Sequence, residues 1–148
     1  MRMMAHTDPM EGKKNHKCPF CDPPRERIIV KNDLAYALWD VNPVSRGHTL
    51  IIPFRHVASF FDTTPEERSA IMDISVVHRT TLDSRYNPAG YNLGVNAGQA
   101  AGQLIMHVHF HLIPRYRGDS QGRGSGLRHV IPKPCGVQKT LTEYAPGS

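Results

Sequence analysis

Three histidines alternate with apolar residues in His107-Val108-His109-Phe110-His111-Leu112-Ile113. In extended chain, alternate side chains share a face. The three imidazoles then line one side, with Cα atoms about 6–7 Å apart, and Val108, Phe110 and Leu112 line the other as core. Imidazoles so placed are poor packing material: each needs hydrogen-bond partners, and charged forms at that spacing repel. Two chemistries suit them. One is a metal site, because imidazole is a common metal ligand and His-x-His on a strand binds zinc. The other is nucleophilic attack on phosphorus by one imidazole while its neighbours donate to the phosphate oxygens. No acidic residue lies within five positions of this stretch. A mixed histidine–carboxylate site would need a distant ligand, which tilts the balance towards phosphate.

Cys18-Pro-Phe-Cys21 has zinc-ligand spacing but supplies two ligands only. A redox motif would follow a strand and open a helix, whereas Asp22-Pro23-Pro24 follows here. With no second Cys-x-x-Cys, a two-knuckle ribbon is excluded. Further ligands must be histidines or Cys135, and Cys135 lies in a Pro/Gly-rich tail that suits an unliganded thiol. His6, His16, His78 and His129 read as surface residues. Taken singly, Asp40 reads as a turn cap before Asn42-Pro43, His48 as a strand-edge histidine, and Asn96 and Gln103 as partners for loop backbone.

The elements that must position these groups are short. Arg27–Lys31, Leu34–Trp39, His48–Ile52, Tyr91–Val95 and Leu104–Ile113 read as strands, the third and fifth stopped by Pro53 and Pro114. Thr64-Pro65-Glu66-Glu67 is a capping box with proline at the first helical position. It opens a helix over Pro65–Tyr86 whose apolar face runs through Ala70, Ile71, Ile74, Val77 and Leu82 and which ends before Asn87-Pro88. The expectation is an α+β fold, a five-stranded and mostly antiparallel sheet with one main helix packed on it. Residues 1–17 read as a flexible N-terminal arm, 18–117 as the catalytic domain, and 118–148 as a Gly/Pro-rich tail.

Composition sets the outer bounds. The chain has 148 residues, 39% hydrophobic and 21% charged, which suits one domain with a real core rather than a disordered chain. The longest apolar run, Leu34 to Trp39, is far short of a membrane helix, and the N-terminus lacks the apolar core of a secretory signal. The expected compartment is the cytoplasm, with no membrane partner. The net charge of +5 is concentrated: from Arg115 to Lys139 there are six Lys/Arg against one acid, Asp119. A basic segment draws in anions, but only Tyr116 interrupts it as an aromatic, so a nucleic-acid-binding module ranks last.

At this point the sequence resembles the histidine triad (HIT) family of nucleotide hydrolases and transferases, in particular its bacterial hydrolase-like branch. The resemblance rests on the triplet His107, His109 and His111, on the preceding Asn96-Ala-Gly-Gln-Ala-Ala-Gly-Gln103, on Ile113-Pro114-Arg115, and on Asp40 upstream of Gly47-His48 and the strand Thr49–Pro53. It spans about Cys18 to Arg117. It implies that His109 attacks the α-phosphorus to form a nucleotidyl-histidine, that the carbonyl of His107 fixes the tautomer of His109, and that His111 bonds phosphate oxygens or the leaving group. His48 would support the triad, Asp40 would hold the ribose hydroxyls, and Asn96 and Gln103 would contact phosphate or ribose. The resemblance also implies zinc held by Cys18, Cys21, His56 and His107, a structural rather than catalytic site, and a homodimer joined through the helix and a sheet edge. Position 104 departs from the pattern: Leu104 stands where many relatives carry Ser or Thr, so a side-chain hydroxyl for the phosphate or leaving group is missing.

Two enzymatic readings therefore compete. In the first, a dinucleoside polyphosphate or related nucleotide conjugate is cleaved through covalent His109, with no metal required for catalysis and a protonated neighbour steadying the phosphoryl oxygens. In the second, the histidine cluster holds a catalytic zinc.

Overall fold

The computed structural model describes residues 18–120 together with 126, 127 and 130. The expected N-terminal arm, most of the C-terminal tail, His6, His16, His129 and Cys135 lie outside the described residues. Five strands, β1 (Val30–Lys31), β2 (Ala35–Trp39), β3 (Thr49–Pro53), β4 (Gly90–Val95) and β5 (Phe110–Arg115), and one long helix, α1 (Pro65–Tyr86), carry the fold. The strands form one sheet in the order β1-β2-β3-β5-β4, and every neighbouring pair is antiparallel. α1 connects β3 to β4 and closes one face.

The helix forms where its signals stand. The Thr64 side chain accepts from the Glu67 backbone N–H and the Glu67 carboxylate accepts from the Thr64 N–H, while Asn87 ends the helix in the left-handed region at φ 47°. Arg55 clamps Glu67 with two hydrogen bonds of 2.7 and 2.8 Å, tying the exit of β3 to the start of α1. Ala70, Ile71, Ile74 and Leu82 pack onto Ala35, Ala37, Ile51, Phe110 and Leu112. One expected face residue is displaced: Val77 is exposed and His78, expected at the surface, is buried. The helical row Ala70, Ile74, His78, Leu82 keeps the four-residue spacing better than Val77 does. The imidazole finds a partner in the Thr49 hydroxyl at 3.1 Å and a neighbour in the Trp39 ring.

Alternation in the strands fixes the opposite face. Phe110 and Leu112 point to the helix, so His111 points away from it, and its register partner across β3 is Leu50. Leu50 joins Phe20, Tyr36, Leu38 and Ile52 in a second apolar cluster on that helix-free face. Several expected strand bounds shift; the first strand begins at Val30 rather than Arg27. Pro53 and Pro114 lie inside β3 and β5, paired with Ala35 and Tyr91, rather than beyond them. The fifth strand begins at Phe110, not Leu104. Residues 104–109 leave the sheet because other bonds claim them: Val108 N–H donates to the Val57 carbonyl at 2.8 Å and His107 is drawn to Pro53.

Candidate active site and metal centre

The histidines gather on the helix-free face, but not as three equal neighbours. His109 and His111 stand side by side with ring centroids 5.2 Å apart. His107, fully buried, turns its ring towards Cys18, Cys21 and His56. The hydrogen bonds then assign the ring protons. His109 Nδ1–H donates to the His107 carbonyl oxygen at 2.8 Å, so its Nε2 carries the lone pair. His107 Nε2–H donates to the Pro53 carbonyl at 2.8 Å, which leaves its Nδ1 as the lone-pair nitrogen facing the thiols. His48 Nδ1 accepts from the Val44 backbone N–H at 3.2 Å, so its hydrogen sits on Nε2. That hydrogen meets His111 Nδ1 at 2.9 Å, with the Asp40 carboxylate 3.4 Å from the same nitrogen. His111 is thereby left with its hydrogen on Nε2. That Nε2 is buried and has no partner among the described residues.

An orphaned buried donor costs about 1–3 kcal/mol and marks a place where a ligand atom fits. The pair is therefore complementary: a lone pair on His109 Nε2 and an unpartnered N–H on His111 Nε2, on rings whose centroids are 5.2 Å apart. Burial, with His109 and His48 adding to it against the pull of Asp40, pushes His111 down to about 4, and burial lowers His48 as well. Near neutral pH His111 is a neutral donor. The expected protonated neighbour is thus corrected at this position: desolvation outweighs the single carboxylate.

The remaining expected site residues divide. Asp40 stands beside His48, one oxygen accepting from the Asn42 N–H. Asn96 follows β4, next to Gly102. Gln103 is buried and its amide is fully engaged: Oε1 accepts from Gly98 N–H, and Nε2 donates to the carbonyls of Ala58 and Ile105. It holds the loop 98–105 in shape, where Gly98 and Gly102 take positive φ. Leu104, at the end of that loop, is 92% exposed.

Cys18, Cys21, His56 and His107 offer four ligand atoms, all within 4.8 Å of one another. Their Sγ···Nδ1 separations of 3.2, 3.5 and 3.8 Å bracket the edge of about 3.6 Å expected of a tetrahedron with ordinary Zn–S and Zn–N bonds. The lone pair on His107 Nδ1 completes the donor chemistry, so this set fits zinc. A second cluster, Asp40, His48 and His111, is as compact but does not fit a metal: the Val44 N–H keeps the hydrogen on His48 Nε2, the atom that would have to coordinate.

Sequence reasoning missed three groups. Phe20, between the two cysteines, lies against both His107 and His109. The Val44 N–H and the Pro53 carbonyl set two tautomers and are backbone atoms, which residue types do not announce.

Residues 24–118 match the family model described as HIT domain. An uncharacterized HIT-like protein of Mycoplasma genitalium is 35% identical over 121 residues, 79% of this chain and 84% of that one. An adenylylsulfatase of Arabidopsis thaliana is 35% identical over 75% of this chain and 58% of its own. An AP-4-A phosphorylase of Mycobacterium tuberculosis is 31% identical over 63% of this chain and 48% of its own. Among solved structures, a HIT family protein from Bacillus anthracis superposes with a TM-score of 0.67 at 31% identity, covering 80% of this chain and 87% of that one. A zinc-bound histidine triad family protein from Mycobacterium smegmatis gives 0.63 at 32% identity, covering 70% and 78%.

Proposed function

The chain belongs to the HIT domain family, and from that premise we propose that it is a nucleotide hydrolase or nucleotidyl transferase working through a covalent bond at His109. The observation that carries this reading is the opposed pair of ring atoms, lone pair on His109 Nε2 and unpartnered N–H on His111 Nε2. His109 Nε2 attacks the α-phosphorus, a P–N bond forms, and the bond to the leaving group breaks with its electron pair departing on the leaving oxygen. His111 donates its N–H to a phosphoryl or leaving-group oxygen, where oriented donors act most strongly. The positive charge left on His109 is eased by the His107 carbonyl at its Nδ1–H. Water or phosphate then attacks the same phosphorus and frees His109.

The substrate proposed is a dinucleoside polyphosphate or related nucleotide conjugate, in keeping with the names of the mycobacterial phosphorylase and the plant adenylylsulfatase. Leu104 offers only its backbone N–H, which favours phosphoanhydride over phosphoramidate bonds. Asp40 is proposed to receive the ribose hydroxyls and Asn96 to line the phosphate path, while Gln103 shapes the loop. The catalytic unit is proposed to span 18–117 and to work as a homodimer joined through α1 and the open edge of β4. Zinc is proposed in the Cys18–Cys21–His56–His107 set as a structural ion, since four protein ligands leave no open position for a reactive water. No helix among the described residues is long and apolar enough to cross a membrane.

The test is to mix the protein with a dinucleotide labelled at the α-phosphate, quench, and look for acid-labile, base-stable label on the chain. Label on the wild type and none on His109→Ala supports the reading. Label retained by His109→Ala, or wild-type turnover by that variant, overturns it and returns the metal-hydrolase reading.

A further inference from the structure

His107 and Phe20 each belong to two neighbourhoods. His107 turns its ring to the thiols of Cys18 and Cys21, at 3.5 and 3.8 Å, while its own carbonyl receives the Nδ1–H of His109. Phe20 sits in the turn closed by Cys21 N–H donating to the Cys18 carbonyl. Its ring centroid is 5.9 Å from that of His107 and 5.3 Å from that of His109. It is almost wholly buried, and its carbonyl accepts from the Tyr36 hydroxyl at 2.6 Å, which roots the turn in β2. The histidine ring of the nucleophile has two aromatic neighbours among the described residues, Phe20 and His111. Its single ring hydrogen bond goes to the residue that also faces the thiols.

A ring hinged at Cβ and held by one hydrogen bond still has torsional freedom, and attack on phosphorus tolerates little of it. Phe20 removes that freedom by packing against the ring. The His107 carbonyl removes it by fixing Nδ1. Both depend on where the cysteine turn stands, because the turn carries Phe20 and faces the His107 ring.

We infer that the Cys18–Cys21 turn is a positioning element for the nucleophile, with Phe20 and the His107 carbonyl setting the orientation of the His109 ring. Phe20, Cys18, Cys21 and His56 are then positioning residues that touch no substrate. The inference deepens the reading of His109 as nucleophile and of the four-residue set as a zinc site, and rests on both.

The decisive measurement is on the ring and needs no turnover. In full-length protein labelled with 15N-histidine, the His109 Nδ1–H bonded to a carbonyl is expected as a downfield proton protected from solvent exchange, assigned by its loss in His109→Ala. Phe20→Ala is expected to broaden or abolish that resonance while the backbone amide spectrum stays dispersed. Removing metal with a chelator does the same, and restoring zinc brings the signal back. With the α-labelled dinucleotide, Phe20→Ala should lower kcat about tenfold or more while KM moves less than threefold. Phe20→Leu, which keeps volume without the flat ring, should fall between, and it decides the matter if the alanine variant fails to fold. A protected His109 signal unchanged in folded Phe20→Leu and in chelator-treated protein overturns the inference. That result would leave covalent His109 chemistry standing, whereas absent protein labelling with an intact protected signal would remove the chemistry and leave the positioning.

Discussion

The two ring nitrogens proposed to act in catalysis differ in what they hold, and substitutions should separate them. His109→Ala removes the lone pair and is expected to lower turnover by several orders of magnitude while nucleotide binding persists, checked by single-turnover kinetics beside equilibrium binding. His111 contributes an N–H. A side chain that restores a neutral donor should therefore recover part of the loss, so His111→Gln is expected to cost about tenfold and His111→Ala about 10²–10³-fold in kcat. Because burial holds His111 at about 4, its donor role is unchanged from pH 6 to pH 9. Gly47 is a third sensitive residue. It takes φ +87°, and an added Cβ would meet the Tyr86 ring at 3.0 Å and Leu82 and Pro114 at 3.1 Å. Gly47→Ala should cost about 1–3 kcal/mol in urea unfolding and depress activity further, since it displaces the neighbouring His48. The triplet and Gly47-His48 were visible in the sequence because their types and spacing are distinctive. The His109 tautomer was implied by the family resemblance and is held by the His107 carbonyl; those of His48 and His107 were not visible, because they depend on the Val44 N–H and the Pro53 carbonyl, backbone groups that residue types do not announce.

Among the elements, α1 was the most legible, since capping box, proline and Asn87-Pro88 are local signals that act wherever the chain goes. Its buried row departs from expectation at one turn: His78 lies in the core, held there by tertiary partners, the Thr49 hydroxyl and the Trp39 ring, which local sequence does not announce. The start of β5 differs from expectation for a similar reason. Residues 104–109 have strand-like alternation, yet Val57 and Pro53, distant in sequence, take their hydrogen bonds. The capping box itself can be tested. Thr64→Ala should cost about 1 kcal/mol by urea unfolding. Glu67→Gln should cost more, since burial opposes its charge but the bonds from Arg55 and Thr64 outweigh burial and hold its carboxyl below the usual range. Because Arg55 adjoins His56, the Glu67 variant is also expected to weaken zinc retention, measured by competition with a chromophoric chelator.

For the molecule as a whole, buried neutral histidines set the acid limit. Burial lowers His78 and His48, and it lowers His111 to about 4. Each protonates in the unfolded chain near its ordinary 6.5 and in the folded chain only at lower pH. The unfolded state therefore binds protons first, and the stability these residues contribute is full above about pH 7 and is lost as pH falls from 6.5 towards 4. The urea midpoint should drop steeply between pH 7 and pH 5, and a flat profile over that span would contradict the burial described here. The proposed dimer should sediment as twice the chain mass at micromolar concentration. The sheet itself is unevenly stitched: β2 pairs with β3 over five residues and β4 with β5 over six, but β3 meets β5 over only Thr49–Leu112, Leu50–His111 and Ile51–Phe110. His48 stands on one bank of that short seam and His111 on the other. The proposed catalysis is therefore a strain gauge for the seam. Under mild denaturant or load, activity should fade before ellipticity does, and the amides bridging β3 and β5 should exchange with deuterium ahead of those within either flanking hairpin.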